Sequence, residues 1–545
     1  MITRNEKIQL MKKTTLLLFA LFLANVSFSQ RWEKLYGTPV YHESGKDIIE
    51  CNDKGYLISG FDDHRKSNWL IKTDINGEML WEKHIKWDNS NVYPSWIDQN
   101  EKGEIVTASC VYLASTQWAS IVKLDSCGER QWCRVFDPGN RYDGVFYDVM
   151  FLDNGNILAL EYVNIINSNE TVNIYLYCLS PDGRLLWIKP YASIDDYPLM
   201  DGAFCRKIDK FGSGYIILGD CYWAYPGNPN HVFLRPLIIG LDSLFNEKFV
   251  IPFGGYSDSI HGLAYGGLQL NDSVYMAVGT RWIHDQDNLV NNGLIMFINK
   301  KGEELGYRQI LNEKIGPDIK SNFISDIQRI NDDLFLAVSN YGKKYVENPF
   351  GEFVLDADAH IYYKDTIPNT VGDPRMVITS DSNYLVIHTI QQPVTYKQDI
   401  LLQKVNDTLG SAPFNPGSYV YDSLCKEIPP YEEINITDCM VIVGIEDTPT
   451  PEQYYASLKT IPIKVFPNPA KDKVNFELEN TSLHQNIRLR CYDLLGKLMY
   501  NEPVIQGQRG AAIDISSWPS GMYVAIIYNN SGAVGKCKFV VEGNK

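Results

Sequence analysis

The chain has 545 residues, 45% hydrophobic and 12% aromatic, which is enough to bury more than one core and too long for one ordinary domain. Its formal charge is −16, concentrated in residues 31–444, which carry −20, while residues 1–30 and 463–545 each carry +3. An acidic body of that size repels phosphate backbones and excludes nucleic acid as a partner.

Met1 and Met11 are both possible starts. From Met11 the chain reads Lys12-Lys13, an apolar run from Leu16 to Val26, then Ser27-Phe28-Ser29-Gln30. A basic stretch, a short apolar run and small residues before the cut predict a signal peptide over residues 1–29, cleaved after Ser29. The run is too short for a typical span, and no later stretch is apolar enough, so the mature chain is expected to lack a membrane span.

Short β-rich runs then recur. They read Gly55-Tyr-Leu-Ile-Ser-Gly60, Gly103-Glu-Ile-Val-Thr-Ala108 and Gly155-Asn-Ile-Leu-Ala-Leu160. They continue as Gly214-Tyr-Ile-Ile-Leu-Gly219, Asp272-Ser-Val-Tyr-Met-Ala277, Asp332-Asp-Leu-Phe-Leu-Ala337 and Ser382-Asn-Tyr-Leu-Val-Ile387. A second hairpin follows each run. In the first three its turn glycine (Gly77, Gly128, Gly183) stands four positions before Trp81, Trp132 and Trp187, as a tight turn with positive φ requires. Four short strands per unit, repeated at roughly 48–60 residues, predict an all-β fold with a seven-bladed β-propeller over residues 30–417. Trp32-Glu-Lys-Leu-Tyr-Gly37 matches the fourth strand of a unit without its first three, so it is expected to complete the last blade. A weak eighth unit within 417–444 stays open.

Residues 418–462 read as a bridge and linker, with Glu446-Asp-Thr-Pro-Thr-Pro-Glu452 extended and solvated. Eleven cysteines in an exported chain permit disulfides. Proximity suggests Cys127 with Cys133, Cys425 with Cys439, and Cys491 with Cys537. No CxxC occurs, so no metal site is expected.

Residues 463–545 alternate apolar and polar positions, as a small Ig-like antiparallel sandwich does. They carry Pro467-Asn468-Pro469, then Asp493 and Gly496 at a hairpin, then Gly521-Met-Tyr523 opening a β-rich strand. These blocks, in this order, resemble the type A C-terminal sorting domain of type IX secretion. The resemblance implies that the machinery of that system is a partner. It also implies passage through the periplasm and the outer membrane, removal of the domain, and release or attachment at the cell surface.

No HExxH, P-loop or GxSxG occurs, and Gly255-Tyr-Ser-Asp-Ser259 lacks the second glycine. Asp356-Ala-Asp-Ala-His360 alternates carboxylates like a calcium loop without its glycine and distal glutamate, and it falls at a hairpin turn. No catalytic residue and no cofactor is assigned. Long aromatic connections in the fourth to sixth units make Tyr222, Trp223, Tyr225, Trp282, His284 and Tyr341 the candidate ligand residues, with packing as their alternative role. Tyr142, Tyr147 and Tyr197 are expected on the same face. Aromatics with a polar edge suit an extracellular glycan or protein ligand. A propeller-based glycan lyase or hydrolase would instead need carboxylates or a His–Tyr pair converging from separate blades. A structural surface scaffold is the third possibility.

Overall fold

The computed structural model describes residues 32–442 and 463–542. Within these it leaves out 39, 114–115, 138–142, 165–172, 194–199, 226–227, 255–259, 286–287, 311–313, 316–317, 344–349, 393, 423–424, 426–427, 479–487, 494–497, 505–509 and 530–531. The signal peptide and the linker expected at 446–452 lie outside the described residues.

Every described regular element is a strand. The chain opens with β1 (Glu33–Tyr36). The first four-stranded antiparallel set is β2 (Glu43–Glu50), β3 (Tyr56–Asp62), β4 (Ser67–Thr73) and β5 (Met79–Lys86). The second is β6 (Trp96–Gln99), β7 (Ile105–Leu113), β8 (Thr116–Leu124) and β9 (Arg130–Phe136). The third is β10 (Asp143–Phe151), β11 (Ile157–Asn164), β12 (Ile174–Leu179) and β13 (Leu185–Tyr191). The fourth is β14 (Met200–Phe211), β15 (Gly214–Tyr225), β16 (Asn228–Leu241) and β17 (Glu247–Pro252). The fifth is β18 (His261–Asn271), β19 (Val274–Asp285), β20 (Asn288–Asn299) and β21 (Glu304–Ile310). The two-residue β22 (Lys314–Ile315) leads into the sixth, β23 (Asp318–Arg329), β24 (Leu334–Lys343), β25 (Phe350–Asp356) and β26 (Ile361–Ile367). The last is β27 (Thr370–Ile378), β28 (Tyr384–Gln391) and β29 (Gln398–Val405), and β1 supplies its fourth strand by pairing Glu33 with Gln403 and Tyr36 with Ile400.

The first strands meet in cyclic order: β2, β6, β10, β14, β18, β23, β27 and back to β2. Apolar cores fill the gaps between successive sets, including one of Trp32, Ile48 and Ile58 with Leu385 and Leu402 that joins the last set to the first. This is a β-propeller arrangement. Packing face to face around an axis leaves few strand edges open.

A repeated side-chain device shapes the turn of the second hairpin. Asp74, Asp125, Asp242, Asn299, Asp356 and Asn406 each accept, on one side-chain oxygen, the N–H groups two and four residues onward. Such short side chains stabilise a turn by replacing a backbone acceptor. Asp356 belongs to this device, while the Asp358 carboxylate accepts from Arg308 Nε at 2.9 Å.

Among the described residues, 418–442 form no further four-stranded set. They run as a strap along the outer edges of two others. β30 (Tyr431–Asn435) pairs in parallel with β5, and β31 (Met440–Ile442) with β9. Two disulfides hold the strap, Cys127–Cys425 and Cys133–Cys439. This corrects the expected pairing. Cys127 and Cys133 lie along one turn and strand, so each bonds the cysteine that the strap brings opposite it. Cys491 and Cys537 are not bonded: they sit on strands either side of a third, each opposite Ala525, a separation a disulfide cannot bridge.

The C-terminal part forms two sheets around one core that includes Val474, Leu489 and Phe539. One sheet has β32 (Ile463–Phe466), β33 (Lys473–Leu478) and β36 (Gly510–Asp514). The other has β34 (Arg488–Asp493), β35 (Leu498–Pro503), β37 (Gly521–Asn529) and β38 (Gly532–Val541).

Candidate functional site

The axis of the ring is where side chains from separate sets converge, and β-bulges aim them there. The innermost strands break register between Gly45 and Asp47, Phe146 and Asp148, Cys205 and Lys207, Ala264 and Gly266, and Ile324 and Asp326. A bulge leaves one extra residue unpaired and re-aims its side chain. The extra residues are Lys46, Tyr147, Arg206, Tyr265 and Ser325.

The residue after the bulge in the first, third and sixth sets has a different task, which Asp98 shares on the unbulged β6. Asp47 accepts the N–H of Ile48 at 2.9 Å on one oxygen and that of Ile97, in the next set, at 3.0 Å on the other. Asp98 holds Gln99 and Phe151 in the same way, at 2.8 and 2.7 Å. Asp148 holds Val149 and Ile208, at 2.9 and 2.8 Å. Asp326 holds Ile327 and Met376, at 2.9 and 3.2 Å. Four carboxylates thus tie consecutive innermost strands together. In the fourth set Lys207 takes the position, and in the fifth Gly266 leaves it empty. Lys207 Nζ then reaches to 3.5 Å from Asp209 and 4.0 Å from Asp326.

Burial pushes Asp47 and Asp98 up to about 6 and Asp148 to about 7, against the lowering effect of their N–H donors. Convergent carboxyls with raised pKa are what a glycan hydrolase would require. Here both oxygens of each are occupied by main-chain donors, so their first task is to join sets.

The mouth above them is lined by cations and aromatic rings. Lys46 Nζ stands 4.4 Å from the centre of the Trp96 ring and the Arg375 guanidinium 4.6 Å from it. Arg206 lies 4.6 Å over Tyr265 and its Nε donates to Asp220 at 2.8 Å. Burial, then repulsion by Arg375, lowers Lys46 to about 8 against the pull of Asp373 and Asp47, and Arg206 also repels it. Burial holds Tyr265 up to about 12 and raises Tyr147 as well, while Arg206 pulls both down. These mutual effects place Lys46, Trp96, Tyr147, Arg206, Tyr265 and Arg375, from six sets, around one mouth. Tyrosines held above their ordinary pKa are hydrogen-bond donors at neutral pH rather than bases.

The loop residues read from the sequence fall differently. Tyr222 is 41% exposed and meets Phe204 edge to face, close to the mouth. Trp223 is 6% exposed and belongs to the core between the third and fourth sets, so its ring packs and is not offered to a ligand. Successive strand residues point to opposite sides, which separates the two neighbours. Trp282 is half-buried on β19, opposite His261. The side chains of Tyr225, His284 and Tyr341, and the residues Tyr142 and Tyr197, lie outside the described residues. Sequence reasoning placed Tyr147 on this face but missed Lys46, Trp96, Arg206, Tyr265 and Arg375. The one signal in the chain was an innermost-strand residue next to an acidic one, as in Lys46-Asp47.

In the C-terminal sandwich, Asn468 accepts the Val540 N–H at 2.9 Å between Pro467 and Pro469, tying the start of the domain to its last strand. Gly521 opens β37, Asp493 ends β34, and buried Tyr523 donates its hydroxyl to the Pro519 carbonyl at 2.8 Å. Gly496 lies outside the described residues.

Residues 464–542 match the secretion system C-terminal sorting domain. The chain is therefore cargo of the type IX system, exported and either secreted or held at the cell surface, and the machinery of that system is its partner. Among the described residues no helix is long and apolar enough to cross a membrane. No curated protein matches the chain. Among solved structures it is similar to polysaccharide lyase Uly1 at 8% identity, over 69% of this chain and 93% of that one, with a TM-score of 0.39. Drosophila Plexin A, in complex with Semaphorin 1b, gives 8% identity over 68% and 88%, with a TM-score of 0.37. The endo-arabinase of Bacteroides thetaiotaomicron VPI-5482 gives 10% over 49% and 94%, with a TM-score of 0.30.

Proposed function

We propose that this exported protein is an extracellular recognition module, a seven-bladed propeller that binds glycan or protein at the axial mouth. The supporting observation is the convergence of Lys46, Arg206 and Arg375 on the rings of Trp96 and Tyr265 at one end of the axis. Rings with cations and hydroxyls at their edges bind polyhydroxylated ligands by combining apolar contact with directed hydrogen bonds. Tyr222 extends that surface outward. The test is retention of the purified exported protein on a panel of extracellular polysaccharides and surface proteins. Tyr222→Ala and Tyr147→Phe are expected to weaken a saturable interaction several-fold, and a panel with no retained member overturns the proposal.

A glycan lyase or hydrolase is the second reading, favoured by the raised carboxyls of Asp47, Asp98 and Asp148. It requires release of new reducing or unsaturated ends from a retained polysaccharide, and a loss of that release in Asp148→Asn. Binding without end release leaves recognition as the function.

A further inference from the structure

The fold neutralises its buried lysines with care. Lys72 has Asp53 at 2.7 Å, Lys83 has Glu432 at 2.6 Å and Glu129 at 2.9 Å, Lys123 has Glu104 at 2.9 Å, and Lys404 has Asp381 at 2.6 Å. Half-buried Lys46 and buried Arg375 break this pattern. Among the described residues neither has a carboxylate within ion-pair distance. Lys46 touches the Trp96 ring and feels Asp373 and Asp47 only from beyond ion-pair distance, and Arg375 has that ring together with the Ser325 carbonyl at 3.4 Å. Two cations that share one indole repel each other, and an uncompensated enclosed charge is costly unless something else neutralises it.

From this we infer that the axial mouth takes the carboxylate of an acidic sugar between Lys46 and Arg375, an assignment that rests on the recognition reading above. The carboxylate would supply the direct contact that Asp373 and Asp47 do not make, with charge-assisted hydrogen bonds from ammonium and guanidinium. Arg206 is nearby with its Nε held by Asp220 at 2.8 Å, so it adds field beside the pair. The sugar ring would meet the aromatic rim. Tyr222 is exposed there, Phe61 and Tyr93 stack with centroids 5.9 Å apart, and Tyr41 and His64 stack at 3.9 Å. All five lie at the end of the sets where β3 leads into β4 and β15 into β16. The acidic body disfavours a long polyanion, so the fitting occupant is a short or terminal acidic sugar.

The test uses titration calorimetry on the full exported protein with digalacturonate, neutral galactobiose, inorganic sulfate and an acidic hexapeptide. Digalacturonate is expected to bind at least tenfold more tightly than galactobiose, and more weakly as salt rises. Lys46→Met is expected to lose at least tenfold in digalacturonate affinity while its thermal midpoint stays level or rises. A binding cation without a structural partner gives that combination, and a structural one does not. Arg375→Gln provides the second variant and should lose a similar factor. Equal binding of acid and neutral sugars, unchanged in Lys46→Met, overturns the anion site and leaves the recognition reading standing. Binding of the hexapeptide or of sulfate but of neither sugar overturns the sugar assignment. No binding of any probe, together with an empty polysaccharide and protein panel, removes both.

Discussion

The indole of Trp32 lies so close over Gly77 that a Cβ built on the glycine would stand 2.8 Å from the ring. Trp32 precedes β1, the strand that completes the last set, and Gly77 is the turn glycine of the first set. The same contact joins Trp81 to Gly128 at 3.1 Å and Trp132 to Gly183 at 2.6 Å, each across one set boundary. Trp187 finds Phe245 at the equivalent turn, with ring centres 4.9 Å apart, and Phe245 takes a φ of 62°. The N-terminal strand therefore makes the same interlock at the point of closure as the neighbouring sets make with each other.

Gly77→Ala is expected to destabilise the protein by about 2–4 kcal/mol. The residue has φ 75°, where a Cβ costs about 1 kcal/mol, and overpacking against Trp32 adds roughly 1–3 kcal/mol. Denaturant unfolding of the variant measures the loss. A midpoint within error of the parent would mean that the indole does not rest on this turn.

The strap disulfides should act non-additively. Either bond alone closes a loop of about 300 residues, since the cysteines are 298 and 306 positions apart. The second closes only the short circuit left by the first. Cys425→Ser or Cys439→Ser alone is expected to cost about 3 kcal/mol, and both together roughly 9 kcal/mol. Peptide mapping without reduction should recover Cys127 joined to Cys425. Recovery of Cys127 joined to Cys133 instead would reject the strap arrangement.

The axial carboxyls set a pH trend. Asp47, Asp98 and Asp148 are held at about 6, 6 and 7 by burial, above the unfolded value of about 4. A group with a raised folded pKa binds more protons when folded, so stability falls as pH rises from about 4 to about 7. The lowered carboxyls of Glu82, Glu104 and Asp381 lose their contributions only below that window. The unfolding midpoint is expected to be higher at pH 5 than at pH 7.5, with a smaller difference in Asp148→Asn. A midpoint that climbs over this interval would contradict the assignment.

Adjacent aromatics should respond in opposite ways. Trp223→Ala opens a cavity in a packed core and is expected to cost about 3–5 kcal/mol. Tyr222→Ala should change stability by under about 1 kcal/mol and weaken ligand retention instead. Paired melting and binding measurements on the two variants decide this. A destabilised Tyr222→Ala would assign its ring to packing.

The repeat was legible because each second strand carries an unbroken apolar run after a polar turn, and hairpin glycines announce themselves. The fourth-strand identity of the segment after Trp32 was legible for the same reason. Trp81 stands four positions after Gly77 in the chain, yet it packs on Gly128, because sequence spacing records the hairpin and not the neighbour that the ring supplies. The disulfides were misread by the same kind of proximity. The axial residues were invisible because Lys46, Trp96, Arg206 and Arg375 come from distant strands, and the bulges that aim Lys46 and Arg206 leave no composition signal. Asp47, Asp98, Asp148 and Asp326 recur along the chain, but single acids in an acidic protein do not stand out.

The strap gives the protein an unusual response to a protease. It crosses from the end of the ring sequence to the second set, and its bonds join residues about 300 positions apart. A single cut at any exposed loop between residues 133 and 425 would therefore leave both halves covalently linked, with every set still seated between its neighbours. Such a nicked molecule runs as one band until thiols are added and then as two. An exported protein built this way can be clipped in a protease-rich exterior and keep its axial mouth intact.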